Sequence, residues 1–223
     1  MTKLGLNCTN DYLLVEFAKG LYVLDTGCSK TFGEAGTLAI GNEVFPHSPN
    51  YFSYDAEKIS RTVGHRVNGI VGVDVLNRFD LVVDVPKRTV TFSAEPVDAP
   101  GVRIPLTFPM SLPHLVAHIE GLPYTLVFDT GATISYWNDA RLSSFATEGW
   151  FNDHHPQFGA IATPTWRVPM RAGNTTLSVR CGQLPERATV LMQPGVAGIL
   201  SNEIMKDAPV AYLPRRSLLV VPS

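Results

Sequence analysis

The stretch Leu-Tyr-Val-Leu-Asp-Thr-Gly at residues 21–27 decides the fold of this chain, because a second version, Thr-Leu-Val-Phe-Asp-Thr-Gly, follows at residues 125–131. The composition of the chain predicts about 0.07 copies of Asp-Thr-Gly by chance, so two copies are very unlikely to be a coincidence. Each copy ends a short apolar run of the length of a buried strand. The sequence therefore places two carboxylates, Asp25 and Asp129, at the tips of two predicted strands.

The residue types of this motif suit one kind of chemistry. Gly27 and Gly131 have no Cβ, so another backbone or a substrate can come close. Thr26 and Thr130 offer hydroxyl groups that can bond across an interface. If the two aspartates face each other, they hold one proton between them, and one can act as a base on water while the other donates to a carbonyl oxygen. The alternative is that each Asp and Gly only forms a turn after its strand.

These motifs resemble the half-sites of aspartic peptidases of the retropepsin and pepsin type, with both half-sites in one chain. Residues 127–132 match the family pattern of two apolar residues, Asp, Thr or Ser, Gly and a small residue, and residues 23–28 match it except for Cys28. The family also has a later apolar-apolar-Gly segment behind each catalytic loop. Residues 70–72 match it, whereas Ser201 stands where the second half would have glycine. The resemblance covers nearly the whole chain.

The resemblance implies an all-β fold of two similar lobes, related by a pseudo-twofold axis, with the active site in the cleft between them. It implies that Asp25 and Asp129 are catalytic and that Thr26 and Thr130 brace the two loops. The partner is a peptide or protein substrate, and no metal or cofactor is needed. Because one chain supplies both aspartates, a monomer suffices for activity.

The order of patterns along the chain predicts an internal duplication. An N-terminal lobe over residues 1–92 is followed by a linker at 93–101, rich in proline and small residues, and a C-terminal lobe over 102–223. Gly-Asn pairs at residues 41–42 and 173–174 each lie between two predicted strands and predict matching hairpins.

The interval between catalytic loop and hairpin signal is much longer in the second half. In the resembling family this interval carries the flap, a β-hairpin that closes over substrate. We expect a single flap from the second half, with a helix near residues 139–145, a tip at Phe158, Gly159 and Ala160, and Trp166 at its base. A surface insertion without a role in substrate binding is the alternative.

Composition limits the partners and the compartment. The chain has 223 residues, 45% of them hydrophobic, and a net charge of −2 without a basic run, so we expect no nucleic-acid partner. No apolar stretch approaches the ~18 residues of a membrane span, and no N-terminal signal pattern is visible. The cysteines, Cys8, Cys28 and Cys181, are few and scattered, which favours a reducing compartment and a cytoplasmic protein.

Other polar residues receive simpler interpretations. His114 and His118 lie on a predicted strand, too far apart for one metal ion, and the histidines at 154–155 are expected to be solvated. Cys28 is interpreted as a small buried residue rather than a nucleophile, because no histidine is near it in sequence. Residues 53–63 predict a short helix. Three other aspartates are expected at the surface or in turns, without a functional role: Asp74, Asp80 and Asp84.

The residue after each motif glycine affects the pKa of the catalytic carboxyl groups, and with it the pH at which activity should be highest. In the resembling family a hydroxyl group there bonds the catalytic carboxylate and lowers its pKa, which Cys28 and Ala132 cannot do well. Fewer hydrogen bonds to the charged form raise the pKa of a carboxyl group. We therefore expect the highest activity at weakly acid pH.

The sequence leaves three functions to compare. The resemblance implies an aspartic endopeptidase that hydrolyses internal peptide bonds without a covalent intermediate. The alternative is a catalytically silent peptide-binding or scaffold protein, favoured by Ser201, Cys28 and the short first-half interval. Two facing carboxylates argue against it, since they are costly in a binding module. A processing enzyme with one protein substrate is the third.

Overall fold

The computed structural model of the protein describes residues 1–155, 159–185 and 193–223. This part of the chain is mostly β, as the sequence predicts. Up to Ser93 its elements are β1 (Thr2–Thr9), β2 (Tyr12–Phe17), β3 (Gly20–Leu24), β4 (Phe32–Gly33), β5 (Thr37–Ile40), β6 (Glu43–Pro46), β7 (Asn50–Tyr51), β8 (Tyr54–Asp55), α1 (Ala56–Val63), β9 (Gly69–Val71), α2 (Val73–Leu76), β10 (Asp80–Asp84) and β11 (Thr89–Ser93).

The described elements that follow are also mainly strands. They are β12 (Val102–Pro105), β13 (His114–Ile119), β14 (Leu122–Asp129), β15 (Ser135–Trp137), β16 (Ala146–His155), β17 (Gly159–Ala172), β18 (Thr175–Gly182), β19 (Val196–Ser201), β20 (Val210–Leu213) and β21 (Leu218–Val221). Short 3₁₀ helices lie between them at Pro109–Ser111, Ala140–Ser144, Asn202–Met205 and Pro214–Arg216.

Two large sheets contain most of these strands. In the first, neighbours follow the order β12, β21, β20, β10, β11, β1, β2, β3, β9, β4, and in the second β13, β14, β19, β15, β18, β17, β16. β5 pairs with β6, and β7 with β8, in two separate hairpins. The strand that leads to Asp25, β3, lies in the first sheet, and the strand that ends in Asp129, β14, lies in the second.

Local sequence signals explain several turns and caps. Gly41 and Gly173 both have φ of +59°, the backbone that glycine favours, and they form the predicted hairpin turns of β5–β6 and β17–β18. Helix α1 confirms the helix predicted within 53–63: the Asp55 carboxylate accepts the Lys58 N–H at 2.8 Å. The helix predicted near 139–145 is present as the 3₁₀ helix Ala140–Ser144.

Strands from the beginning and the end of the chain meet in the first sheet. β10 pairs antiparallel with β20, which places Leu81 opposite Tyr212 and Val83 opposite Val210. All four side chains are buried and belong to a hydrophobic cluster shared by both large sheets. The sheet therefore joins the chain segments on either side of residues 93–101. Among the described residues no helix is both long and apolar enough to cross a membrane.

The prediction of surface or turn carboxylates is wrong for Asp80. This side chain is fully buried, and it accepts hydrogen bonds from the Val97 N–H at 3.0 Å and from the Arg216 guanidinium at 2.7 Å, with Arg215 also in contact. Asp84 is also buried, although it does stand at a turn, where it accepts the Lys87 N–H. A buried carboxylate needs such partners to offset the loss of water, and those of Asp80 lie far away in sequence.

Candidate active site

The two aspartates of the repeated motif lie at the ends of two similarly flanked strands. Asp25 directly follows β3, which runs parallel to β9, with Leu24 opposite Val71. Asp129 ends β14, which runs parallel to β19 and faces Ser201. Both carboxyl groups are half-buried and line the same cavity.

The glycines of the two motifs show how closely the loops approach. A Cβ built on Gly27 would lie 2.4 Å from Cγ of Asp129, and one built on Gly131 would lie 2.5 Å from Cγ of Asp25. Real Cβ atoms do not come so close to a neighbour, so any other residue would push the opposite carboxyl group away. Each glycine therefore faces the aspartate of the other loop.

The threonines of the two motifs hold the loops together through crossed hydrogen bonds. The Thr26 hydroxyl donates to the Phe128 carbonyl at 2.7 Å and accepts the Thr130 N–H at 2.9 Å. The Thr130 hydroxyl donates to the Leu24 carbonyl at 2.8 Å and accepts the Thr26 N–H at 3.0 Å. Both side chains are buried, so the four bonds are shielded from water.

Backbone N–H groups and burial have opposite effects on the pKa of the two carboxyl groups. Oδ1 of Asp25 accepts the N–H groups of Gly27 at 2.9 Å and Cys28 at 2.8 Å, and Oδ1 of Asp129 accepts that of Gly131 at 2.8 Å. Burial nevertheless raises the pKa of both groups, and repulsion from Asp129 adds to the rise in the pKa of Asp25, which lies well above its usual range. The pair therefore retains a proton at pH values where an isolated aspartate is ionised.

Hydroxyl groups six positions after each aspartate support the loops, which the sequence hypothesis missed. Thr31 Oγ1 accepts the N–H of Gly72 at 3.0 Å, and Ser135 Oγ accepts the N–H of Ser201 at 3.1 Å. Ser201, which stands in place of the family's glycine, is fully buried, and its hydroxyl lies 3.1 Å from that of Ser135. The serine is thus accommodated without an unpaired hydroxyl group.

Asn202 is a further residue that the sequence did not indicate. Its buried amide donates to the Thr130 carbonyl at 3.1 Å and to the Asp11 carbonyl at 2.9 Å. This contact links the second motif to the β1–β2 turn, and Tyr12, the first residue of β2 after that turn, lines the cavity. No short-range pattern announces a bond between residues 191 positions apart.

The cavity above the carboxyl groups has a volume of about 430 Å³. One part of its wall is aromatic and apolar, and another part comes from β15 and from the hairpin formed by β16 and β17, which we call the long hairpin. Residues on these walls include Tyr12, Phe32, Tyr51, Phe52 and Tyr54, and, on the other side, Tyr136, Asp153, His154 and Ile161. Extended apolar walls around a polar floor suit a bound chain with apolar side chains.

The residues predicted for a flap lie on or next to the long hairpin. Gly159 begins β17 with φ of +72°, and Ala160 is exposed and pairs with His154. Trp166 is half-buried, packs against the main hydrophobic cluster and is not a cavity residue. Phe158 lies outside the described residues. Among the described residues of this hairpin, the cavity is lined by Asp153, His154 and Ile161 rather than by those predicted.

The side chain of Cys28 faces the cavity but has no sign of being a nucleophile. Its thiol donates to the Lys30 carbonyl at 3.2 Å. Burial and the neighbouring Asp25 raise the pKa of this thiol far above its ordinary value, so the thiolate is not formed near neutral pH. Cys28 is half-buried rather than buried, so its interpretation as a small buried residue holds only in part.

The predicted strand at His114 and His118 is confirmed as β13. The buried His114 lies with Nδ1 2.9 Å from the Leu112 carbonyl oxygen, while His118 is half-buried. Within residues 1–155, 159–185 and 193–223, no group of three or more His, Cys, Asp or Glu side chains is arranged to hold a metal ion.

Comparison with known proteins finds a likeness in fold. No family model matches the sequence, and neither does a curated protein. The crystal structure of an aspartic proteinase from Irpex lacteus is similar to this chain, with a TM-score of 0.57 and 12% sequence identity, over 99% of this chain and 97% of that chain. At this identity the likeness concerns the fold alone. The chain thus has a mostly β fold like that of an aspartic proteinase.

Proposed function

We propose that this chain is an aspartic endopeptidase in which Asp25 and Asp129 act as one catalytic pair. The observation that carries the proposal is the mutual fit of the two motifs, in which each threonine bonds the opposite loop and each glycine faces the opposite carboxyl group. A turn that merely ended a strand would need neither contact. The likeness in fold to an aspartic proteinase supports the same function.

The proposed reaction needs only the two carboxyl groups and a water molecule. The ionised carboxyl group takes a proton from water, whose oxygen adds to the carbonyl carbon of the peptide bond. The protonated carboxyl group donates its proton to the carbonyl oxygen. The tetrahedral intermediate then collapses: one of its two hydroxyl groups returns a proton to the pair, the C–N bond breaks, and the nitrogen leaves with the proton that the pair took from water. One proton remains on the pair, which is ready for another cycle.

We further propose that the chain consists of two similar lobes, residues 1–92 and 102–223, related by a pseudo-twofold axis and joined by residues 93–101. Three local correspondences support this duplication. Each aspartate follows a strand with a parallel neighbour, each motif has a supporting hydroxyl group six positions later, and each half has a Gly-Asn hairpin. Because both motifs are in one chain, a monomer suffices for the proposed reaction.

The long hairpin is proposed as the flap that covers bound substrate. Asp153 and Ile161 lie opposite each other on its two strands, and both line the cavity. In this proposal Gly159 and Ala160 belong to the tip and Trp166 belongs to the base. The substrate is a peptide or protein segment whose apolar side chains contact the aromatic wall.

Cleavage of a proteome-derived peptide library between pH 3 and 7 tests the proposed function. Wild-type protein is compared with the Asp25→Asn and Asp129→Asn variants, and cleaved peptides are identified by mass spectrometry. We expect cleavage by the wild type and none by either variant. A wild type that cleaves nothing, while it binds peptides in the cavity, would favour the silent peptide-binding alternative.

A further inference from the structure

The outer part of the long hairpin lies beyond the backbone pairing of β17 with β18. The pairing of β17 with β18 runs from Trp166 to Ala172, and nearer the tip β17 pairs with β16. Nearer the tip than Trp166, the Thr163 hydroxyl accepts the Gln183 N–H at 3.0 Å. Arg180 of β18 donates to the Trp150 carbonyl at 3.3 Å, and its guanidinium lies over the Phe151 ring. The position of this outer part over the cavity therefore depends on side-chain contacts rather than on backbone pairing with β18.

Tyr136 makes such a contact from the wall of the cavity. It lies on β15, seven residues after Asp129, and its side chain is buried. A Cβ on Gly182 would come within 3.1 Å of the Tyr136 ring and 2.7 Å of the Thr163 methyl group, so the missing side chain leaves room for both. The ring is thus packed at a fixed place between the second motif and the hairpin.

The hydroxyl of Tyr136 donates a hydrogen bond to Oδ2 of Asp153 on β16. Oδ1 of the same carboxylate accepts the N–H of His154 at 2.8 Å. Burial and the negative charge of Asp153 both raise the pKa of Tyr136, so its hydroxyl keeps its proton and remains a donor. Hydrogen bonds to a charged acceptor are among the stronger ones in proteins. Both residues line the cavity that contains Asp25 and Asp129.

We propose that Tyr136 is a positioning residue for the peptidase reaction, because its hydrogen bond to Asp153 holds the outer part of the long hairpin over the catalytic pair. This inference rests on the proposed function for its role in turnover. The bond connects the long hairpin to β15, the strand that follows the second motif. It therefore fixes the position of the hairpin relative to the loop that contains Asp129.

Hydrogen–deuterium exchange of the unliganded protein tests the bond without relying on activity. Tyr136→Phe and Asp153→Ala each remove it, whereas Asp153→Asn keeps an acceptor for the tyrosine hydroxyl. We expect about tenfold faster exchange in residues 150–155 and 159–165 for the first two variants, from the loss of one charge-assisted hydrogen bond. Asp153→Asn should stay close to the wild type.

Tyr124→Phe is the matched control, since it removes a tyrosine hydroxyl that bonds Arg141 and lines no part of the cavity. It should leave exchange in the hairpin unchanged. Equal exchange in Tyr136→Phe and Tyr124→Phe would overturn the inference. If Asp153→Ala does not fold, this comparison of two isosteric variants still decides the question.

Peptide turnover tests the role in the reaction. On a peptide that the wild type cleaves, Tyr136→Phe and Asp153→Ala should each lower kcat/KM about tenfold, and the double variant should be no worse than the poorer single variant. Independent, multiplying effects would contradict a shared bond. A wild type without peptidase activity would refute the proposed function and this role with it, while the exchange experiment would still report whether the bond holds the hairpin.

Discussion

The two Asp-Thr-Gly loops are built alike, whereas the segments that follow them differ. Each loop gives a threonine hydroxyl to the other and faces the other's carboxyl group with a glycine. After the first loop the chain forms the short hairpins β5–β6 and β7–β8 and helix α1, and after the second it forms the long hairpin. Under the proposed function, chemistry that needs two carboxyl groups constrains both loops equally, while covering one cavity needs only one long hairpin.

The largest expected effect comes from replacing one of the two aspartates of the catalytic pair. Asp25→Asn and Asp129→Asn should each lower peptide turnover on the order of 10³-fold, because the pair loses either its base or its shared proton. Equivalent loops predict equal losses, measured as kcat/KM on one peptide at the optimal pH. Asp207→Asn changes an exposed aspartate outside the cavity and serves as control. Full activity in either loop variant would contradict the pairing.

The next largest effect comes from substitutions that displace a carboxyl group of the pair without removing it. Gly27→Ala and Gly131→Ala place a methyl group against the opposite aspartate, so turnover should fall about 100-fold. Gly5→Ala is the control, since among the described residues its Cβ would meet only the flexible Glu16 side chain, with the carboxylate oxygen at 3.2 Å. Activity assays with folded variants, checked by circular dichroism, give the result. A loss in one loop and not in the other would show that the loops are not equivalent.

Removing a threonine hydroxyl tests the bonds between the loops. Thr26→Val and Thr130→Val each leave a buried N–H and a buried carbonyl unpaired, and each should lower the free energy of unfolding by about 3 kcal/mol. Urea denaturation measures the loss. Thr26→Ser and Thr130→Ser keep the hydroxyl group and should remain near the wild type. If the valine variants lose no more stability than the serine variants, the crossed bonds are excluded as a source of stability.

A glycine pair on the long hairpin tests the difference between the two halves. Gly149 and Gly159 both have left-handed backbones, with φ of +79° and +72°, and open space around a Cβ, so alanine costs about 1 kcal/mol of strain at each. If the hairpin covers substrate, Gly159→Ala should lower turnover several-fold and Gly149→Ala should not. Equal turnover in the two variants, with equal stability, would count against the flap.

The smallest expected effect concerns stability and pH. Burial and Asp129 raise the pKa of Asp25, so the folded protein keeps a proton that the unfolded chain releases above its ordinary pKa. Stability should therefore fall as pH rises from about 4 towards the raised pKa. Asp25→Asn lacks this loss, so its Tm should exceed that of the wild type by a few degrees at pH 7 and match it at pH 3. The opposite order at pH 7 would be inconsistent with a raised pKa.

Local patterns in the sequence predicted the parts of the fold that depend on neighbouring residues. The apolar runs before the two aspartates, the Gly-Asn turns and helix α1 are all present where these patterns indicated. The crossed hydrogen bonds of Thr26 and Thr130 are of the kind that the resemblance of the two motifs implied.

Contacts between distant residues were beyond the reach of these patterns. Asp80 follows a turn and resembles a surface carboxylate, yet its partner Arg216 lies 136 positions away in the 3₁₀ helix Pro214–Arg216. Asn202, which bonds Asp11 and Thr130, has no repeated counterpart that would mark it. Such bonds depend on how the sheets pack, which residue types and spacing do not encode locally.

Titration of the aspartate side chains by NMR tests the central claim, that the two loops form one pair with a shared proton. In protein labelled with ¹³C at aspartate Cγ, Asp25 should keep its proton well above the ordinary value of about 4. In the Asp129→Asn variant the pKa of Asp25 should fall, because the neighbouring negative charge is gone. An Asp25 that titrates at its ordinary value in both proteins would contradict the account.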